Sequence, residues 1–155
     1  MSDIQLGEEF FRTETAVQFL LSSITQYLED TAHEMWSSKP DPFKIYRSIH
    51  LAHDNIRALE GLVLLAMERG IHIEEGSLQT VRQMHDRIHS LLDETHSFLL
   101  ITLDEWVGAG KPMEELRELA RITNVSKDGL DNLIISHVNK LKRAKTIGPS
   151  NNRLN

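Results

Sequence analysis

The sequence contains no cysteine, so disulfide frameworks, thiolate metal sites and cysteine nucleophiles are excluded at the outset. Proline and glycine are also scarce, four and eight among 155 residues, which leaves room for long helices between few breaks. The longest uninterrupted apolar run, Leu62–Met67, is six residues, far short of the roughly 20 needed to span a bilayer. No basic, apolar, cleavable leader opens the chain, so the cytoplasm is the expected compartment. Acids outnumber bases 23 to 17, a net charge of −6, which argues against a general nucleic-acid binder. The length suits one domain with a real core.

What is present is helical spacing. Phe10, Val17, Leu20, Leu21, Ile24, Tyr27, Leu28 and Met35 recur at steps of three and four from Glu8 to about Trp36. The stretch from Ser37 to Pro42 breaks that helix, because neither proline can continue it. Ile45, Ile49, Ala52, Ile56, Leu59, Val63 and Met67 stripe a second helix from Phe43 to about Arg69, with Gly70 suited to its C-terminus. Gly61 inside it implies close packing against a neighbour, since glycine costs about 1 kcal/mol there against alanine.

After the linker Ile71–Gly76, Ser77 is the expected N-cap of a third helix reaching about Val107. Gly108–Lys111 forms a turn, and Pro112 suits the first turn of a fourth helix. The middle of that helix, Thr123–Gly129, is a weak helix former where a bend or fraying is expected. Residues 146–155 have the composition of a disordered tail, leaving 1–145 as one domain. No strand-like alternation of useful length occurs. The predicted fold is all-α, an antiparallel up-down bundle of about four long helices.

Charge is distributed unevenly. Val138–Asn155 carries +5 and no acid, so the preceding residues carry −11. Lys140, Lys142, Arg143 and Lys145 in this segment suit peripheral contact with an anionic membrane or a partner. They also complement a helix C-terminus, the more ordinary role. Trp36 and Trp106 near helix ends are candidate interface residues, with helix-end packing the plainer reading.

The eight histidines are the compositional oddity. His50, His53 and Asp54 share an arc on the flank of the second helix. His85 and His89 lie one turn apart on the third and could share a metal through their imidazoles; His96, roughly 10 Å further on, is too distant. Solvent-facing histidines without a ligand are the plainer expectation for these three. His33, His50-x-x-x-Asp54 and His85-x-x-x-His89 resemble elements of a hemerythrin-like di-iron protein, a metal-binding four-helix bundle for storage or oxygen handling. The last helix departs from that pattern, since His137 has no acid five residues later. No phosphate loop, nucleophile elbow or H-E-x-x-H motif is present, and no enzyme activity is expected.

Four segments carry a further resemblance. They are Leu20-x-x-x-Ile24-Thr25-Gln26-Tyr27-Leu28, His50-Leu51-Ala52-His53-Asp54-Asn55-Ile56, Val81-Arg82-Gln83-Met84-His85 and His137-Val138-Asn139-Lys140-Leu141. In order and spacing they resemble segments of the PhoU-like cytoplasmic region of bacterial sodium/phosphate cotransporters, over roughly Glu14 to Lys145. The resemblance implies a helical regulatory domain at the cytoplasmic face of a bacterial plasma membrane. Its implied partners are the transporter's membrane domain and a second copy of the domain.

Several members of that family carry iron or zinc clusters on repeated E-x-x-x-D motifs. The corresponding segments here read Glu14-x-x-x-Gln18, His50-x-x-x-Asp54 and Asn124-x-x-x-Asp128, each one carboxylate short. No cofactor is therefore required, although Glu14, His50, His53, Asp54 and Asp128 suit a single iron or zinc ion if the bundle brings them together. The family's membrane helices are missing, as they would be in an excised cytoplasmic domain or a free-standing relative.

Overall fold

In a computed structural model the described residues form five helices: α1 (Asp3–Met35), α2 (Pro42–Glu68), α3 (Glu75–Gly108), α4 (Met113–Ile122) and α5 (Lys127–Leu154). The structure describes residues 3–154, and the side chains of 7–145 among them; no strand occurs among the described residues. The tail expected at 146–155 lies outside the residues whose side chains are described. No helix among the described residues is long and apolar enough to cross a membrane.

The breaks follow from local chemistry. Between α1 and α2, Pro42 becomes the first helical residue, where its missing N–H is harmless. Asp41 caps α2 by accepting hydrogen bonds from the backbone N–H of Phe43 and Lys44. The Asp41 N–H donates in turn to Glu34 Oε1 at 2.9 Å, tying the loop to the end of α1.

The ends of α2, α3 and α4 share one device. A residue with positive φ follows each helix: Gly70 at 72°, Gly110 at 71° and Asn124 at 57°. The N–H of the next residue then reaches back five positions, Ile71 to Ala66, Lys111 to Trp106 and Val125 to Ala120. This is the Schellman arrangement, which satisfies carbonyls a helix end would otherwise leave unpaired. The fourth helix expected from the sequence is thus two helices. Thr123–Gly129 does not merely fray: Asn124 ends α4, and Ser126 Oγ caps α5 by accepting from Gly129 N–H at 3.0 Å. A second correction concerns α3, which starts at Glu75 and so takes in Ser77, the expected N-cap.

Two compact units divide the chain within α3, Met1–Thr95 and His96–Asn155. In the first, α1 offers Val17, Leu21, Ile24 and Leu28 to a core shared with Ile49, Ala52, Ile56 and Leu59 of α2 and Val81 and Ile88 of α3. Steps of three and four keep each set on one side of its helix. A smaller cluster of Val63, Ala66, Ile71 and Ile73 closes the α2–α3 loop, with Phe10 and Leu78 against it. Met67, expected to continue the α2 stripe, is instead exposed, and Ala66 is the buried residue there. In the second unit α4 packs on α5, and Leu116, Leu119, Ala120, Ile122 and Leu130 are buried.

Buried hydroxyls are satisfied within their own helices. Thr31 donates to the Tyr27 carbonyl, Thr95 to that of Leu92, Thr102 to that of Phe98 and Thr123 to that of Leu119. No cross-helix partner is needed, so these threonines enter the core without an unpaired polar group.

Gly61 has a different setting from the close packing its position implies. It is exposed, and a Cβ built there would meet no atom within 4 Å. The Gly61→Ala variant should therefore stabilise the protein by about 1 kcal/mol through helix propensity. Chemical denaturation reads this directly. A loss of stability would mean that this face of α2 is covered in solution.

Candidate functional site

On α2, His50, His53 and Glu60 lie along one flank beside the core stripe, because steps of three and seven return to nearly the same side. α3 faces that flank with His85 and His89, one turn apart. The His85 Nδ1 lies 2.6 Å from Glu60 Oε1. The His85 and His89 ring centroids are 4.3 Å apart, and His89 meets His53 edge-on at 5.8 Å. Passing from His53 to Glu60 along α2 goes backward along α3 from His89 to His85, as antiparallel neighbours require.

The result is a row of imidazoles from two helices with a carboxylate at one end, inside the first unit. Beside the carboxylate lies a hollow of ≈ 360 Å³, bounded by Glu60, Val81, Arg82, His85 and Asp86. The pair is half-exposed, with side-chain accessibilities of 44% for His85 and 40% for Glu60. An ionised carboxylate only accepts hydrogen bonds, so the proton of this contact sits on His85 Nδ1. That leaves His85 Nε2 as the ring atom not held by Glu60.

His50 extends the row on the other side. Its ring packs at 4.2 Å on Tyr46. Burial is the main cause holding its pKa below the usual 6.5, the charge of His53 adds to it, and Asp54 opposes both. The folded chain therefore takes up the His50 proton less readily than the unfolded chain. The stability linked to this group is whole above pH 6.5 and falls as pH drops through that value toward the lowered folded pKa. Urea midpoints compared between about pH 7 and about pH 5 should fall less steeply for His50→Gln than for the parent. Equal slopes would show that burial does not disfavour the charged ring.

The residues singled out as metal ligands are distributed as follows. Glu14 is on α1, half-buried, with Oε1 buried and lacking a hydrogen-bond partner. His50, His53 and Asp54 are on α2, and the structure couples His50 electrostatically to both others. Asp128 is in the first turn of α5, in the second unit. Among the described residues, as they stand, no three His, Asp or Glu side chains converge on one metal position.

His89 is exposed, as expected, with the His53 ring edge-on to it, and His85 is half-buried against Glu60. Sequence reasoning passed over Glu60. Its signal was the seven-residue step from His53, but which helix face meets α3 is a tertiary fact. His96 is exposed and belongs to the second unit.

In that second unit, His137 Nε2 lies 2.9 Å from Asp104 Oδ1. A Cβ on Gly108 would come within 3.1 Å of the His137 ring, so glycine there admits the imidazole against the end of α3. Lys140, Lys142, Arg143 and Lys145 are exposed along α5.

Large apolar side chains also reach the surface. On α1, Phe11 is 71% exposed and Phe19 70%, while Trp36 just past its end is 88% exposed. Trp36 is thus not packed on its helix end. Trp106, by contrast, is half-buried with the Lys111 ammonium 5.4 Å from its ring centroid. No family model, no curated protein and no solved structure matches the chain.

Proposed function

We propose that the chain is a non-enzymatic, PhoU-like regulatory module of sodium-dependent phosphate transport, its helices in an antiparallel up-down arrangement. It acts by docking on the membrane domain of a transporter at the cytoplasmic face of a bacterial plasma membrane. The observation that carries this reading is the aromatic surface of α1. At 100° per residue Phe11 and Phe19 lie roughly 80° apart, well away from the arc of Val17, Leu21, Ile24 and Leu28. Exposed aromatics on a surface turned from the core are the type of residue that interfaces bury. The family resemblance supplies the identity of the partner. The exposed cations Lys140, Lys142, Arg143 and Lys145 suit the anionic headgroups beside it.

Docking alters transport only if the module binds one transporter conformation more tightly than the other. The test is binding of the full chain to a sodium/phosphate cotransporter membrane domain in lipid nanodiscs, together with phosphate uptake in cells with and without the chain. Replacing Phe19 and Trp36 together by serine should weaken binding at least about tenfold, with helical circular dichroism unchanged. Absence of binding by the parent chain, with uptake unaffected, would reject the reading.

A further inference from the structure

We infer that α4, the turn after it and α5 form a helix-turn-helix element that binds duplex DNA, with α5 lying in the major groove. The inference does not rest on the transport reading.

The backbone of the second unit points there first. Helix-turn-helix elements join one helix to a second through three or four residues, commonly with a glycine among them. Here residues 123–126 separate the ten-residue α4 from α5. Asn124, at φ 57°, supplies the left-handed backbone that glycine most often provides. Val125 N–H closes α4 on the Ala120 carbonyl at 2.9 Å, and Ser126 Oγ caps α5. Leu119, Ala120 and Leu130 are buried on either side of the turn. The contact of His137 Nε2 with Asp104 Oδ1 ties α5 to α3, the third helix of the unit.

α5 turns a row of hydrogen-bonding side chains away from that packing. At 100° per residue Asn132, Ser136, Asn139 and Arg143 fall within about 60° of one another, opposite the buried Leu130. All four are exposed. In the major groove asparagine pairs with adenine and arginine with guanine, while serine bonds to either. Asp128, one turn before Asn132, can accept from the amino group of cytosine. A helix about 10–12 Å across fits a groove about 12 Å wide.

Charge suits a polyanion at the same place. A hollow of ≈ 370 Å³ between α4 and α5 is rimmed by Arg117, Arg121 and Lys127, and Asp131 is the one acid lining it. Arg121 is engaged with Glu118, so Arg117 and Lys127 are assigned to phosphates, where the first helix of such an element crosses the DNA backbone. From Lys127 to Lys145, α5 carries five cations and two acids. The net charge of −6, which argues against a general nucleic-acid binder, is thus an average over a chain with one basic helix.

The test uses the full chain and a fluorescent pool of random-sequence duplexes about three helical turns long. Anisotropy reads affinity between about 50 and 200 mM salt, and repeated selection followed by sequencing reads preference. A common sequence should emerge, bound at least about 1,000-fold more tightly than the starting pool. Asn132→Ala should weaken binding to that sequence by about 5–100-fold and leave the pool unchanged. Arg117→Gln should weaken both alike and lower the slope of log affinity against log salt by about 1. Both residues are exposed, so helical circular dichroism should not move.

No binding of the pool, or binding from which no sequence emerges, would overturn the inference. So would an Asn132→Ala variant that binds the selected sequence as the parent does, since α5 would then not read bases. Vesicles containing phosphatidylserine are the control. Binding to them without any selected duplex, lost when Lys140 and Lys142 are both replaced by glutamine, would overturn the inference in favour of an anionic membrane.

Discussion

Ile56→Ala should cost about 2–5 kcal/mol of stability, the range for removing most of a fully buried aliphatic side chain. Ile56 is 1% exposed and sits in the cluster that joins α1, α2 and the first part of α3. Two contributions add: the removed methyl and methylene groups lose their transfer free energy, and the cavity left behind closes only in part. Its neighbours in that cluster are also side chains in a close-packed set, and Ala52 beside it has no bulk to lean into the gap. Denaturant unfolding of parent and variant measures the loss. A change below about 1 kcal/mol would mean that the helices can move together, which a close-packed interior resists.

Leu119→Ala should have an effect of similar size, about 2–5 kcal/mol, but placed elsewhere. Leu119 is fully buried on α4, a helix of ten residues. A helix that short is marginal in water without packing. Its buried side, Leu116, Leu119, Ala120 and Ile122, therefore supplies most of what keeps it folded. Because the chain divides into two compact units, amide exchange should separate the consequences. Protection should fall in α4 and the start of α5, while α1 and α2 amides keep most of theirs. Uniform loss along the chain would show that the units unfold as one. In Ile56→Ala the order should reverse, with α1 and α2 exchanging first.

The helical class could be read directly from spacing, because a buried helix side imposes steps of three and four on its apolar residues. Val17, Leu21, Ile24 and Leu28, and Ile49 through Val63, are buried as their pattern indicates. Gly70 likewise ends α2 with the positive φ that glycine adopts at no steric cost. The break at Asn124 was harder to read. Asparagine occupies the same backbone region less often, and the flanking Leu119 and Leu130 keep enough spacing to suggest one continuous helix. The structure shows two caps back to back, Asn124 for α4 and Ser126 for α5.

The candidate site shows the same division. Spacing within one helix places His85 beside His89, and His53 in line with Glu60. It says nothing of which flank of α2 meets which flank of α3, since that depends on how the core side chains of both helices interlock. The contacts Glu60–His85 and His53–His89 exist because Val81 and Ile88 seat α3 on α2 in one register.

Lacking cysteine, the chain has no thiolate to offer a metal or a substrate. Few prolines and glycines permit long helices, and the periodicity between them marks which side of each is apolar. Those are local properties, set by backbone geometry and the hydrophobic effect residue by residue. The meeting of histidines from α2 and α3, the exposure of Gly61 and Trp36, and the division within α3 arise from packing between distant segments. Packing depends on side-chain shape across the whole core, which no local spacing encodes.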